Sequence, residues 1–275
     1  MTANNKLAVS DMEKIIADAS TKLNYYSMGK RVVGEQVFRL LEKNCRVLYY
    51  PLEEDDVWGF IERVKDQLFA CINTSISFEK QIFAAAHELY HIWYDGQNVQ
   101  EVVLSTNLEE TKADPIDICE LRANRFAAEF LVETSLLKQE LKRSGASKNE
   151  VGIRDVLQLC NTFTVPYKTM ARRLREIHVI SADRLSELLS ASEKEIQQQN
   201  TGYCSNSSAK QGYILLDNLV EKSIELYGKN LITHEKFEFL LGFAGVSPED
   251  VGIVKSVYTP ITDDEIAEIL GGDDD

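Results

Sequence analysis

Phe83-Ala84-Ala85-Ala86-His87-Glu88-Leu89-Tyr90-His91 is the stretch on which the reading of this chain turns. Its alanine-rich lead-in favours a buried helix, and two of the chain's four histidines close it. His87 and His91 stand four residues apart, so on a helix both imidazoles project from one face, one turn apart. Two neutral imidazoles so placed can share one ion, and zinc suits them. Glu88 lies about 100° around the helix from His87, at ~3.6 residues per turn. It flanks the ion without having to ligate it, the position of a general base for a metal-activated water. The pattern also arises by chance, so its surroundings must decide. An unpaired Glu88 in an apolar helix would be costly, and a metal site explains that carboxylate better than a plain core does.

A catalytic zinc takes three protein ligands and keeps one position open. The third is sought in Glu120-Leu-Arg-Ala-Asn-Arg-Phe-Ala-Ala-Glu-Phe-Leu131, whose apolar face runs through Cys119, Ala123, Phe126 and Phe130. Glu120 and Glu129 are nine residues apart, roughly opposite each other on a helix, so they cannot both face one ion. Glu120 is favoured, because Asn124 one turn later can support the ligands by hydrogen bonding. Asp114 and Asp117 are weaker candidates, explained by favourable charge at a helix N-terminus. The competing reading of Glu120, a surface carboxylate paired with Arg122 or Arg125, carries similar weight from the residues alone. His178 and His234 are isolated and read as structural or surface residues.

Around these motifs the periodicity predicts helices over 10–26, 34–43, 78–95, 115–143, 147–160 and 166–177. Ser77 and Gly96 would bound the third of these, and Asp114-Pro115 would start the fourth. Arg46–Tyr50, Val57–Val64 and Gln67–Asn73 read as strands. The fold class expected is α+β: mostly helical, with a small, mainly antiparallel sheet packed on the active-site helix and a helical C-terminal appendage. Residues 195–212 are small and polar, the composition of a linker or long loop. The acidic end, Asp273-Asp274-Asp275, reads as a tail.

Composition narrows the functions. The chain has 275 residues, 44% hydrophobic and 27% charged, enough for a core without staples. Its 30 Lys plus Arg face 44 Asp plus Glu, a formal charge of −14. That charge repels phosphate backbones and disfavours direct DNA binding. No signal peptide and no apolar run of bilayer-spanning length is expected, so no membrane role follows. Cys45, Cys71, Cys119, Cys160 and Cys204 are odd in number, without a Cys-x-x-Cys pair, which fits reduced thiols in a cytoplasm.

The two motifs together resemble the ImmA/IrrE family of bacterial zinc metallopeptidases. That family shows an "AHELGH" segment and then "E-x-x-AN-x-FAAELL". Cys71-Ile72-Asn73 stands where the family has its last strand before the active-site helix, and Phe163–Leu174 resembles its "F-x-VS-x-x-A-x-x-RL" segment. The likeness covers about residues 30–180; Tyr90 departs from it by replacing a glycine. The resemblance implies zinc held by His87, His91 and Glu120, with Glu88 as base. It implies an endopeptidase acting on a regulatory protein, such as a helix-turn-helix repressor or antitoxin encoded nearby, in mobile elements or stress responses. The domain organisation expected is a metallopeptidase domain over 1–195, a linker over 196–212 and a small helical region over 213–275. The Gln67–Asn73 strand, through Cys71, Ile72 and Asn73, is expected to offer an edge to an extended substrate.

Two rival readings stand beside it. In one, the chain is a non-proteolytic regulatory module that grips a transcription factor or antitoxin around a structural or vestigial zinc. In the other, Lys168, Arg172, Arg173 and Arg175 bind nucleic acid; such a cluster on one short helix is more often a solvated face.

Overall fold

The computed structural model describes residues 7–54, 56–64, 67–95, 118–144, 151–199, 212, 214–216 and 218–253. The chain divides into two compact units, Met1–Asp217 and Asn218–Asp275.

The first unit is built around one buried helix. α3 (Phe78–Tyr90) follows Ser77, and from Gln81 to Tyr90 every residue is buried. Ala84, Ala85 and Ala86 are wholly inaccessible, so small side chains let other elements approach on all sides. α2 (Gln36–Asn44) packs on α3 through Val37, Leu40 and Leu41. α4 (Ile118–Leu131) packs on it from another side, with Ala123, Phe126, Ala127 and Phe130 buried. α1 (Val9–Tyr25) covers α4, burying Ile15, Ala19 and Leu23 at four-residue spacing.

The sheet lies against α3. β1 (Arg46–Tyr50), β2 (Gly59–Val64), β3 (Gln67–Asn73) and β4 (Leu215–Leu216) stand in the order β2-β3-β1-β4. β2 and β3 pair antiparallel from Gly59↔Ile72 to Val64↔Gln67, while β1 and β3 pair parallel from Arg46↔Phe69 to Tyr50↔Asn73. The sheet is therefore mixed, with a parallel pair at its centre. A side chain at Gly59 would place its Cβ 2.9 Å from the Cys71 carbonyl oxygen and 3.4 Å from Ala84 Cβ. Glycine there lets β2 lie close to both its neighbouring strand and α3.

The remaining helices of this unit are α5 (Thr134–Ser144), α6 (Ile153–Phe163), α7 (Tyr167–Glu176), α8 (Ala182–Ser190) and α9 (Glu193–Gln199). The single helix expected over 115–143 is two. The Val132 carbonyl accepts from Arg173 Nη2 at 2.8 Å, and the Glu133 carboxylate accepts from the N–H groups of Ser135 and Leu136, capping α5. α9 extends four residues into the expected linker; residues 200–211 lie outside the described residues, as do Gly96, Asp114, Pro115, Asp117, Cys204 and the acidic end. The second unit holds α10 (Leu219–Gly228) and α11 (His234–Phe243), joined by stacked Tyr227 and Phe237 rings 4.6 Å apart.

Candidate metal centre

α3 delivers His87 and Glu88. His91 follows at once, at the start of a π-helical turn, His91–Asp95. Trp93 Nε1 donates to Asn44 Oδ1 at 3.1 Å, at the end of α2, and Lys22 Nζ lies 4.4 Å above the Trp93 ring. These contacts seat the turn between α1 and α2. Tyr90, where the family has a glycine, packs its ring 5.4 Å from Phe126 of α4 and 5.2 Å from Tyr94 of the turn.

Glu120, in the first turn of α4, reaches across to the histidines. His87 Nε2 lies 3.2 Å from Glu120 Oε2, His91 Nε2 lies 3.3 Å from Glu120 Oε1, and the two Nε2 atoms are 3.1 Å apart. Among the described residues, His87, His91 and Glu120 form the one group of three or more such side chains that could hold a metal ion. Arg122 and Arg125, the surface partners weighed for Glu120, pair elsewhere: Arg122 with Asp11 at 3.0 Å and Arg125 with Glu129 at 3.0 Å.

Hydrogen bonds behind the imidazoles set their tautomers. His87 Nδ1 lies 2.8 Å from Asn124 Oδ1, and His91 Nδ1 lies 3.0 Å from Asp95 Oδ2. Each Nδ1–H donates to its oxygen, so each Nε2 presents a lone pair inward. Two imidazole nitrogens and two carboxylate oxygens thus face one another, all acceptors. Only a cation or added protons can reconcile them, and the donor set fits zinc. Asp95 is a site residue the sequence reading missed. Its signal was the spacing from His91, four residues, the same that links His87 to His91.

The charges answer the same arrangement. Burial works against a charged His91, but hydrogen bonds to Asp95 and Glu120 and the charges of Glu88 and Glu120 raise its pKa to about 10. Burial also raises the Glu120 carboxyl, yet the bonds to both histidines outweigh it and hold the group at about 2. Glu88 is wholly buried, and neither of its oxygens has a hydrogen-bond partner. Burial pushes its carboxyl up to about 7, against the lowering effect of His87 and His91.

β3 does not offer an edge. It is bonded to β2 on one side and β1 on the other, and Cys71, Ile72 and Asn73 are buried. Its backbone donors and acceptors are already spent within the sheet, so an added strand has nothing to pair with. Asn73 instead organises the preceding loop: its amide donates to the Glu54 and Val57 carbonyls and accepts from the Leu52 and Ser75 N–H groups. The basic cluster on α7 is not a solvated face throughout, because Arg173 is 1% exposed and bonded to Val132, Thr134, Glu129 and Glu176.

Residues 41–175 match the model of the IrrE N-terminal-like domain, Peptidase_M78. These residues belong to the ImmA/IrrE metallopeptidase family. The match spans α3 and α4, and with them His87, Glu88, His91 and Glu120. Membership in this peptidase family carries a metal-dependent role and a protein substrate. No curated protein matches the chain. Among the described residues, no helix is long and apolar enough to cross a membrane.

Proposed function

We propose that this chain is a zinc-dependent endopeptidase whose substrate is a regulatory protein, such as a helix-turn-helix repressor or an antitoxin encoded nearby. The observation that carries the reading is Glu88: a buried carboxylate with two unpartnered oxygens, beside three inward-facing ligands from two helices. His87, His91 and Glu120 would hold the ion, with Asn124 and Asp95 orienting the imidazoles. Zinc bound there supplies a Lewis acid that makes water acidic near neutral pH and polarises a peptide carbonyl.

Glu88 performs the proton work. Its desolvated carboxylate takes a proton from the attacking water as the new C–O bond forms. It then gives that proton to the amide nitrogen as the C–N bond breaks, leaving a carboxylic acid and an amine. Burial serves this role, because it disfavours the charged form and so makes the carboxylate a stronger base than one in water.

The test pairs metal content with cleavage. Glu88→Gln should retain zinc by elemental analysis while failing to cleave repressors or antitoxins encoded beside the gene; cleavage at the parent rate would refute the assignment. Tight binding of such a protein by the parent chain, with no cleavage whether or not a chelator is present, would favour the non-proteolytic module instead.

A further inference from the structure

At the other end of α3 a groove of about 390 Å³ opens between the helix start, the α6–α7 turn and the α8–α9 region. Two helices begin in it, α3 after Ser77 and α7 after Pro166, and neither has a side-chain cap. Uncapped first turns present backbone N–H groups and the positive end of the helix dipole.

Two hydroxyls make the groove more than a crevice. Thr169, on α7, is 3% exposed, and its Oγ1 is buried without a hydrogen-bond partner. The Tyr167 hydroxyl is likewise buried and unpartnered, and both residues line the groove. A buried hydroxyl left without a partner is a cost to the fold, which an occupant with acceptor oxygens would remove.

The charge and the apolar wall narrow the occupant. Lys80 and Lys168 line the groove, balanced by Glu79 and Glu193. The lining carries no net charge, so Glu79 and Glu193 repel a dianionic phosphate more than they repel a single carboxylate. Trp58 and Leu157 supply apolar wall, with Lys80 Nζ 5.0 Å above the indole. The volume falls within the range typical of small-molecule sites.

We propose that this groove binds a small organic carboxylate with an apolar or aromatic body. The carboxylate accepts from the Thr169 and Tyr167 hydroxyls and the helix starts, and the body lies toward Trp58. Lys80 and His87 are seven residues apart on α3, about 10 Å along its axis, so the groove and the three inward-facing side chains occupy separate places on the helix. The inference therefore stands whether or not the chain proves to be a protease.

The test is an NMR titration of the full chain with 3-phenylpropionate, its uncharged amide 3-phenylpropionamide, and acetate. The carboxylate should shift the Tyr167 and Thr169 amides and the Trp58 indole N–H saturably, binding roughly tenfold or more tightly than either control. Thr169→Val, which keeps the side chain's shape, should weaken binding several-fold, and the surface substitution Lys80→Gln should do the same should the first variant fold poorly. Equal binding of the amide, shifts that never saturate, or unchanged affinity in both variants would overturn the proposal.

Discussion

Two buried polar clusters hang on opposite faces of α4, and they are balanced differently. On one face, Glu120 and Asn124 meet His87 and His91 with acceptors crowding acceptors. On the other, Glu129 receives Arg173 and Arg125, each at 3.0 Å, and the Thr134 hydroxyl at 2.8 Å. Arg173 Nη1 also meets Glu176 at 2.6 Å. The second cluster is close to complete within itself, with two Arg125 nitrogens left over. The first is not complete without a positive charge from outside. Two glutamates of one helix thus serve different ends: Glu129, in a matched set, fixes the break between α4 and α5, and Glu120, in an unmatched one, suits a cation.

Substitutions can break or sharpen this contrast. The largest effect is expected at Glu88→Gln, which removes proton transfer and should lower turnover roughly 10²–10⁴-fold while leaving metal content unchanged. Next, Arg173→Ala strands Glu129 in the matched cluster and should cost about 3–5 kcal/mol, read by urea unfolding with and without metal. His87→Ala should instead be tolerated in metal-free protein and abolish the stabilisation that zinc confers. If the two substitutions weaken the metal-free fold equally, the contrast fails.

Asn124→Ala comes third. It frees the His87 ring behind its ligand nitrogen and should weaken zinc binding about 10–100-fold, measurable by competition with a chromogenic chelator. The last effect is one of pH. In metal-free protein, Glu88 is raised from 4.5 to about 7 and His91 from 6.5 to about 10, so the folded state holds protons that the unfolded state has lost. Stability should therefore decline as pH rises across those two windows. Glu120, lowered from 4.5 to about 2, acts oppositely: its contribution is present above 4.5 and lost as pH falls toward 2. Zinc uptake should expel protons from His91 and Glu88 and strengthen with pH. Calorimetry in two buffers of different ionisation heat counts those protons; a metal-binding heat independent of buffer would contradict the assignment.

Much of the site was legible because helical geometry is local. The four-residue spacing of His87 and His91 set their shared face, and the nine residues between Glu120 and Glu129 rightly sent the two carboxylates to opposite clusters. Sequence alone left Glu120 open to pairing with nearby arginines, since nothing local shows that Arg122 is taken by Asp11, more than a hundred residues earlier. The strands Arg46–Tyr50 and Gln67–Asn73 were readable from their composition, but their order was not. Alternation tells which face a side chain takes and says nothing of which strand lies between two others, and so β3 read as an edge. The break at Val132 escaped for a similar reason: its cause is Arg173, forty-one residues away.

The π-helical turn at His91–Asp95 has a consequence for how the chain tolerates change in length. Such a turn closes its hydrogen bonds over one more residue than its α-helical neighbour does, and it is held in register by Trp93 against Asn44. Removing a single residue there would wind the backbone back to the tighter coil, swinging Asp95 off His91 and prising the indole from its seat. A deletion in an exposed connection would be absorbed by slack. In this short span, spacing itself is the constraint, and homologues should vary its letters far sooner than their number.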